Sequence, residues 1–230
     1  MRSVALSIFL TICLALCAAA ESEFVADGAS LGSTVIWFTP TTIDTIFTGT
    51  MDISGEIGFT GHAGLITATG DSHGAGVADG MTFATELWVL FAASGRLDSG
   101  DEVYVRGGLT VHSDTIDMAT MSMGSGPGSF IAIIDVQTAS YAVVGTLESD
   151  ASGQMVAPDD PSTMQVEGGA TFAFTGDALS LDGPIEELLP WDIAGWPQEL
   201  HAELIALLTG VPVEEEDPGE ESAAGKAGTP

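Results

Sequence analysis

The sequence predicts an all-β fold, an antiparallel β-sandwich or jelly-roll-like domain of about eight strands with a C-terminal α-helix and a disordered acidic tail. Three observations carry this prediction: period-two alternation of apolar and polar residues, glycine-rich breaks between the alternating segments, and a change of pattern near the carboxyl end. Side chains of a strand point alternately to its two faces. The clearest alternation covers residues 43–59, and it predicts one face on a core and one in water.

The first 20 residues have the pattern of a secretory signal peptide, with Arg2 followed by an uncharged apolar run and cleavage predicted near Ala20. Both cysteines, Cys13 and Cys17, fall in this segment. The secreted chain therefore has no disulfide, and core burial or bound ions must stabilise it. The sequence predicts a secreted or cell-surface protein.

The β-rich domain is expected to cover residues 21–183. Residues 98–101 carry Asp, Ser and Gly between two alternating segments, which is typical of a hairpin turn. Residues 70–74 interrupt the alternation and indicate a glycine-rich loop. The remaining strands are expected at 65–69, 83–94, 103–111, 130–136, 141–147 and 164–174.

A helical segment is expected at residues 184–212, packed on the β-rich domain. Pro197 suits the first helical position, Gly210 suits the stop, and leucines at helical spacing between them form an apolar stripe. Residues 184–189 favour a single further helical turn. Residues 213–230 are acidic and rich in Gly and Ala, which predicts a disordered tail.

The charge of the chain excludes several classes of partner. Thirty-three Asp and Glu oppose four Lys and Arg, and the formal net charge is −29. Nucleic acids and anionic membrane surfaces are excluded as partners because phosphate neutralisation requires many cationic side chains. The imbalance favours a cation-rich environment, with adaptation to high salt as the plain explanation.

Gly70-Asp71-Ser72-His73-Gly74 matches the pattern G-x-S-x-G. The string resembles the nucleophile elbow of the α/β-hydrolases, and its Gly-Asp-Ser resembles the first block of the SGNH esterases. That resemblance implies a serine hydrolase with Ser72 as nucleophile and His112 or His201 as base. However, asparagine is absent from the chain, and the alternating strands and helices of both families are not predicted.

Acidic residues at the 98–101 turn are the candidate metal ligands. Asp98, Asp101 and Glu102 offer carboxylate oxygens in one short loop, the ligand type that calcium prefers. The four histidines form none of the spacings typical of zinc sites. Calcium is therefore the only cofactor that the sequence suggests.

These patterns favour a non-catalytic β-domain for binding an unidentified surface or extracellular ligand, or for envelope structure. Two alternatives stay open. One is the secreted serine hydrolase that uses Ser72, and the other is a lipid-carrying or membrane-associated β-barrel. Covalent labelling of Ser72 or partition into detergent would separate these classes.

Overall fold

The computed structural model describes residues 22–59, 61–113, 116–117, 122–181 and 195–210. The predicted signal peptide, the predicted turn at 184–189 and the predicted acidic tail lie outside these residues. The described part contains nine strands and one helix, most of it antiparallel sheet. The elements are β1 (Ser22–Phe38), β2 (Thr42–Phe59), β3 (His62–Asp79), β4 (Thr85–Leu97), β5 (Glu102–Ser113), β6 (Ile116–Asp117), β7 (Ser122–Val136), β8 (Ala139–Val156), β9 (Met164–Ser180) and α1 (Gln198–Thr209).

The strand order follows the chain, and the sheet closes on itself. Each long strand pairs antiparallel with its chain neighbours, β5 pairs with β7, and β1 pairs with β9. The described strands make no crossover connection of the kind that defines a jelly roll.

Closure of a sheet requires a stagger in register. From Gly74, one circuit of paired residues returns to β3 at Gly64, a displacement of 74 − 64 = 10 residues. The circuit passes through Val89, Leu109, Phe130, Gly145, Gly176, Phe24 and Ile57.

The all-β class, about eight long antiparallel strands, and the C-terminal helix are confirmed. The strand predicted at 43–59 is β2, and residues 98–101 connect β4 to β5 as predicted. The sequence did not predict β1, because small residues such as Gly28 and Ser30 occupy its inner face while Leu31 lies exposed on its outer face. In this strand the apolar side chains therefore do not mark the inner face, and the alternation pattern cannot be recognised from the sequence.

The prediction of a glycine-rich loop at residues 70–74 was wrong. These residues lie within the 18-residue strand β3 and pair with β2 on one side and with β4 on the other. Gly70 and Gly74 face inward, where the backbone of β4 approaches so closely that a Cβ would collide with it. Glycine here permits close strand packing inside a closed sheet, whereas glycine in an isolated sequence usually indicates a turn.

Inward-facing side chains form the main core, and aromatic rings fill the half of it away from the β1–β2 connection. Phe59 stacks on Tyr141 with ring centroids 4.2 Å apart, and Phe130 meets Phe174 edge-on at 5.0 Å. Aromatic pairs of these geometries stabilise a core beyond the area that they bury. The half of the closed sheet nearest the β1–β2 connection is packed less completely, and it contains the cavity described below.

Helix α1 packs on the outer face of the sheet over β4, β5, β7 and β8. Leu204 and Leu208 are fully buried there against a second apolar cluster that includes Leu90 and Ile133. A Cβ on Gly108 of β5 would lie 2.5 Å from Trp196 Cη2 and 3.0 Å from Leu204 Cδ1. The helix therefore approaches the sheet where a side chain is missing. Gly210 ends it in the left-handed conformation at φ 71°, as predicted.

Candidate functional site

A cavity of about 180 Å³ lies inside the closed sheet, in the half near the β1–β2 connection. Its walls come from the C-terminal halves of β1 and β8 and the N-terminal halves of β2, β4 and β9. Apolar side chains and glycine backbone dominate the lining, and none of the described residues that contribute to it is charged or a histidine. The lining residues are Ser30, Thr34, Ile36, Thr45, Phe47, Thr85, Leu87, Val89, Ala151, Ser152, Gly153, Val166, Gly168, Gly169, Ala170 and Phe172.

A row of four glycines crosses four neighbouring strands beside this cavity. Gly49 of β2 is directly paired with Gly32 of β1, Gly32 with Gly168 of β9, and Gly168 with Gly153 of β8. All four positions belong to the inward-facing set of their strands. The row leaves a strip of bare backbone on the inner wall where four side chains would otherwise project into the interior.

One half of this glycine row is covered by an aromatic ring. A Cβ on Gly32 would lie 2.9 Å from Phe47 Cε2, and one on Gly49 would lie 2.8 Å from Phe47 Cζ. The Phe47 ring therefore packs directly on the bare backbone of this pair. Aromatic rings placed over strand glycines restore the apolar contact that the missing side chains would have made.

A second inward glycine pair is covered in the same way. Gly145 of β8 pairs with Gly176 of β9, and Cβ atoms on them would lie 2.8 and 3.0 Å from ring atoms of Phe130. By contrast, both members of the pair Gly153–Gly168 line the cavity, and the atoms nearest to their missing Cβ positions are backbone atoms and Val166 Cγ1. The Val166 side chain therefore covers Gly153, and it forms one wall of the cavity together with the backbone of Gly168.

Hydroxyl groups provide the polar part of the lining. Ser30 is only 8% exposed, and no described residue hydrogen-bonds its hydroxyl. Thr85 donates a hydrogen bond from Oγ1 to the carbonyl oxygen of Phe83 at 3.0 Å. Because Ser30 lines the cavity, a molecule inside the cavity can hydrogen-bond its hydroxyl. Ser30 is therefore a position where the cavity can hold a hydrogen-bonding group.

Exposed apolar side chains surround the end of the sheet that holds the cavity. Phe38 follows the lining residue Ile36 on the inner face of β1 and is 52% exposed, and Met155 follows Gly153 on β8 and is 61% exposed. Met81, in the connection between β3 and β4, is 90% exposed. We call Phe38, Met81 and Met155 the rim. They place exposed apolar surface at this end of the sheet.

The structure does not bring the residues of the predicted serine hydrolase together. Ser72 lies in the middle of β3 with its side chain inside the closed sheet, 2% exposed, and its Oγ has no hydrogen-bond partner within the described part of the chain. His112 lies on the outer face of β5, and His201 lies on α1, which packs on the outer face. The sheet therefore separates Ser72 from both candidate bases. Its neighbour His73 faces outward and contacts Glu203 of α1 at 2.8 Å.

The three predicted calcium ligands have separate partners. Asp98 Oδ1 accepts a hydrogen bond from the backbone N–H of Leu65 at 3.2 Å. Asp101 accepts hydrogen bonds from Ser99 and Gln137, and Glu102 lies 3.8 Å from Arg96. Among the described residues, no group of three or more His, Cys, Asp or Glu side chains is placed to hold a metal ion.

Comparison with known proteins identifies no relative: no family model, no curated protein and no solved structure matches the chain. Among the described residues, no helix has the length and apolar character needed to cross a membrane.

Sequence reasoning missed the cavity and its glycine row. The four glycines are far apart in the chain, and each one taken alone is compatible with a turn. Only the register of four strands shows that they are neighbours. A signal was nevertheless present, because Gly32 and Gly49 each lie inside a segment of strand-forming residues, where glycine indicates close approach of another backbone.

Proposed function

We propose that this protein is a secreted, non-catalytic binding domain that holds a small, uncharged, mainly apolar molecule inside its closed sheet. The observation that carries the proposal is the cavity of about 180 Å³ with its uncharged lining. An engineered apolar cavity of about 150 Å³ in another protein binds benzene. A cavity of this size therefore suits a ligand of about seven or eight non-hydrogen atoms.

The lining also selects against charged ligands. An ionised group in this interior would lose its hydration and find no opposite charge among the lining residues, which costs several kcal/mol or more. The volume is below the roughly 300 Å³ at which ordinary ligand pockets begin. The proposal therefore favours a compact neutral molecule over a long lipid.

The surroundings of the cavity support binding over a purely structural role in an envelope. The rim places exposed apolar side chains at the end of the sheet that holds the cavity, where a soluble domain gains nothing from exposing them. The acidic outer surface repels anions and keeps the protein soluble in salt. The N-terminal pattern favours secretion, so the ligand would be met outside the cytoplasm.

Titration of the purified protein with toluene, followed by calorimetry or by amide chemical shifts, tests this proposal. We expect a dissociation constant of about 1 mM or lower, which corresponds to about −4 kcal/mol. Ala170 of β9 lines the cavity, and Ala170→Leu would fill part of it. This variant is expected to lose toluene binding.

Ala173→Leu is the matched control, because it makes the same change on the exposed face of the same strand. It is expected to bind toluene as the unchanged protein does. Absence of toluene binding in the unchanged protein, or equal binding by both leucine variants, would contradict the proposal.

A further inference from the structure

We infer that the ligand is a compact aromatic molecule with one neutral hydrogen-bonding group, as in a phenol. The inference rests on the proposed function and names the ligand class for the same cavity. Three observations lead to it: the inner glycine pairs, the rings that cover two of them, and the position of Ser30.

Phenylalanine rings cover two of the inner glycine pairs. At Gly32–Gly49 and at Gly145–Gly176, a phenylalanine ring lies on the bare backbone. A flat ring fits such a surface because no Cβ atom projects from it, and the contact recovers dispersion energy. This chain therefore places an aromatic ring on two of its inner glycine pairs.

The third inner glycine pair differs from these two. Gly153–Gly168 continues the row of Gly32 and Gly49, but its inner surface faces the cavity. A planar ring of the ligand could pack on Gly168 there, beside the Val166 side chain that covers Gly153, as Phe47 packs on the neighbouring pair. A puckered aliphatic ring would make fewer close contacts with the same flat backbone.

Ser30 supplies a hydroxyl group to the wall of the cavity. Ser30 is two residues before Gly32 on the same face of β1, and it is directly paired with Ala170, two residues after Gly168 on β9. Its hydroxyl therefore lies one row from the glycine wall, on a residue that lines the cavity, and it has no hydrogen-bond partner among the described residues. A hydroxyl, ether or carbonyl on the ligand ring would satisfy it.

Phenol and cyclohexanol form the decisive pair of probes, because they share a hydroxyl and a six-membered ring and differ in planarity. We expect phenol to bind at least about tenfold more tightly than cyclohexanol. Phenol is also expected to shift the Gly153 and Gly168 resonances upfield through its ring current, as a ring packed on the backbone would. Equal affinity for both probes would overturn the aromatic class while leaving the cavity as a binding site.

Ser30→Ala tests the polar contact. It is expected to weaken phenol binding by about three- to tenfold and to leave toluene binding unchanged, since toluene has no hydrogen-bonding group. Ser54→Ala, on the exposed outer face of β2, is the control and is expected to change neither affinity. An unchanged phenol affinity in Ser30→Ala would remove Ser30 from the site and overturn that part of the inference.

Gly153→Ala tests the glycine wall. Its added methyl group would meet Val166 Cγ1 at 2.5 Å and would push that side chain toward the surface on which the ring packs. Phenol affinity is expected to fall at least about tenfold, whereas Gly58→Ala, at an open outer position, is expected to leave it unchanged. Unfolding curves of both variants establish that they are folded. Unchanged phenol binding by a folded Gly153→Ala protein would contradict the stacking geometry.

The failures of the two proposals are distinct. If none of toluene, phenol and cyclohexanol binds at about 10 mM, well above the expected dissociation constant, the proposed function itself is overturned. If all three bind with similar affinity and Ala170→Leu prevents binding, the proposed function stands and the aromatic inference is overturned.

Discussion

Arg106 donates a hydrogen bond from Nη2 to the carbonyl oxygen of Leu208 at 3.4 Å, and this contact joins β5 to the last turn of α1. The same guanidinium pairs with Asp135 of β7, which also accepts a hydrogen bond from Ser140. A cation at a helix C-terminus interacts favourably with the exposed carbonyl groups there. Arg106 therefore connects the helix to two strands of the sheet.

Replacing Arg106 with methionine is expected to lower the free energy of unfolding by about 2 kcal/mol. The change removes a largely buried ion pair and the contact with Leu208, and it leaves an unbranched apolar side chain in place of the arginine. Arg96→Met is the matched control, because it removes the same charge from an exposed pair 3.8 Å apart. That variant is expected to change stability by less than about 0.5 kcal/mol in urea unfolding. Equal effects of the two variants would show that Arg106 acts only through net charge.

Gly108→Ala is expected to destabilise the docking of α1 by about 1–3 kcal/mol, the usual cost of overpacking. The added methyl group would collide with the Trp196 ring and crowd Leu204. Tryptophan fluorescence during denaturant unfolding measures the loss. Gly58→Ala is the control, since an added Cβ there would find its nearest neighbour at 3.7 Å. Equal stability of the two variants would show that the packing of Trp196 on the sheet does not require glycine at position 108.

We predict a loss of stability at alkaline pH from the burial of Tyr141. Burial raises the pKa of the Tyr141 phenol above its ordinary value of 10.0, because the folded protein disfavours the phenolate. The resulting stabilisation is complete below pH 10 and is lost as pH rises through the raised pKa. Tyr141→Phe is therefore expected to reduce the alkaline loss of stability.

The chain is well suited to this measurement. The described residues contain no lysine, and Lys226 is the only one in the sequence, so few other groups titrate above pH 9. Phenolate absorbance of the Tyr104→Phe variant, in which Tyr141 is the remaining tyrosine, would give the pKa of Tyr141 directly. A Tyr141 pKa at or below 10.0 would refute the prediction.

Calcium is expected to affect the melting temperature as NaCl does at the same ionic strength. The net charge of −29 destabilises the compact state through self-repulsion, so NaCl is expected to raise the melting temperature gradually. Asp98, Asp101 and Glu102 have separate partners, and CaCl2 at matched ionic strength is expected to act like NaCl. A large rise at sub-millimolar calcium would instead indicate a specific ion site at the β4–β5 turn.

The sequence predicted those elements whose local pattern agrees with their final environment. The inner face of β2 carries Met51, Ile53 and Ile57, and its outer face is polar, so its alternation could be recognised without the fold. The helix could be recognised for a similar reason, because Gly210 and the leucine stripe are local signals. Prediction failed for β1 and for residues 70–74, where glycine and serine occupy inner positions.

The sequence by itself determined the β class, the strongly acidic surface and the helix at the carboxyl end, because alternation, charge and helix signals are properties of neighbouring residues. The tertiary structure alone decided that the sheet closes, that Gly32, Gly49, Gly153 and Gly168 form one row, and that Ser72 faces away from His112 and His201. These relationships depend on the register between strands distant in the chain. Register follows from how all eight long strands pack together, and no single segment specifies it.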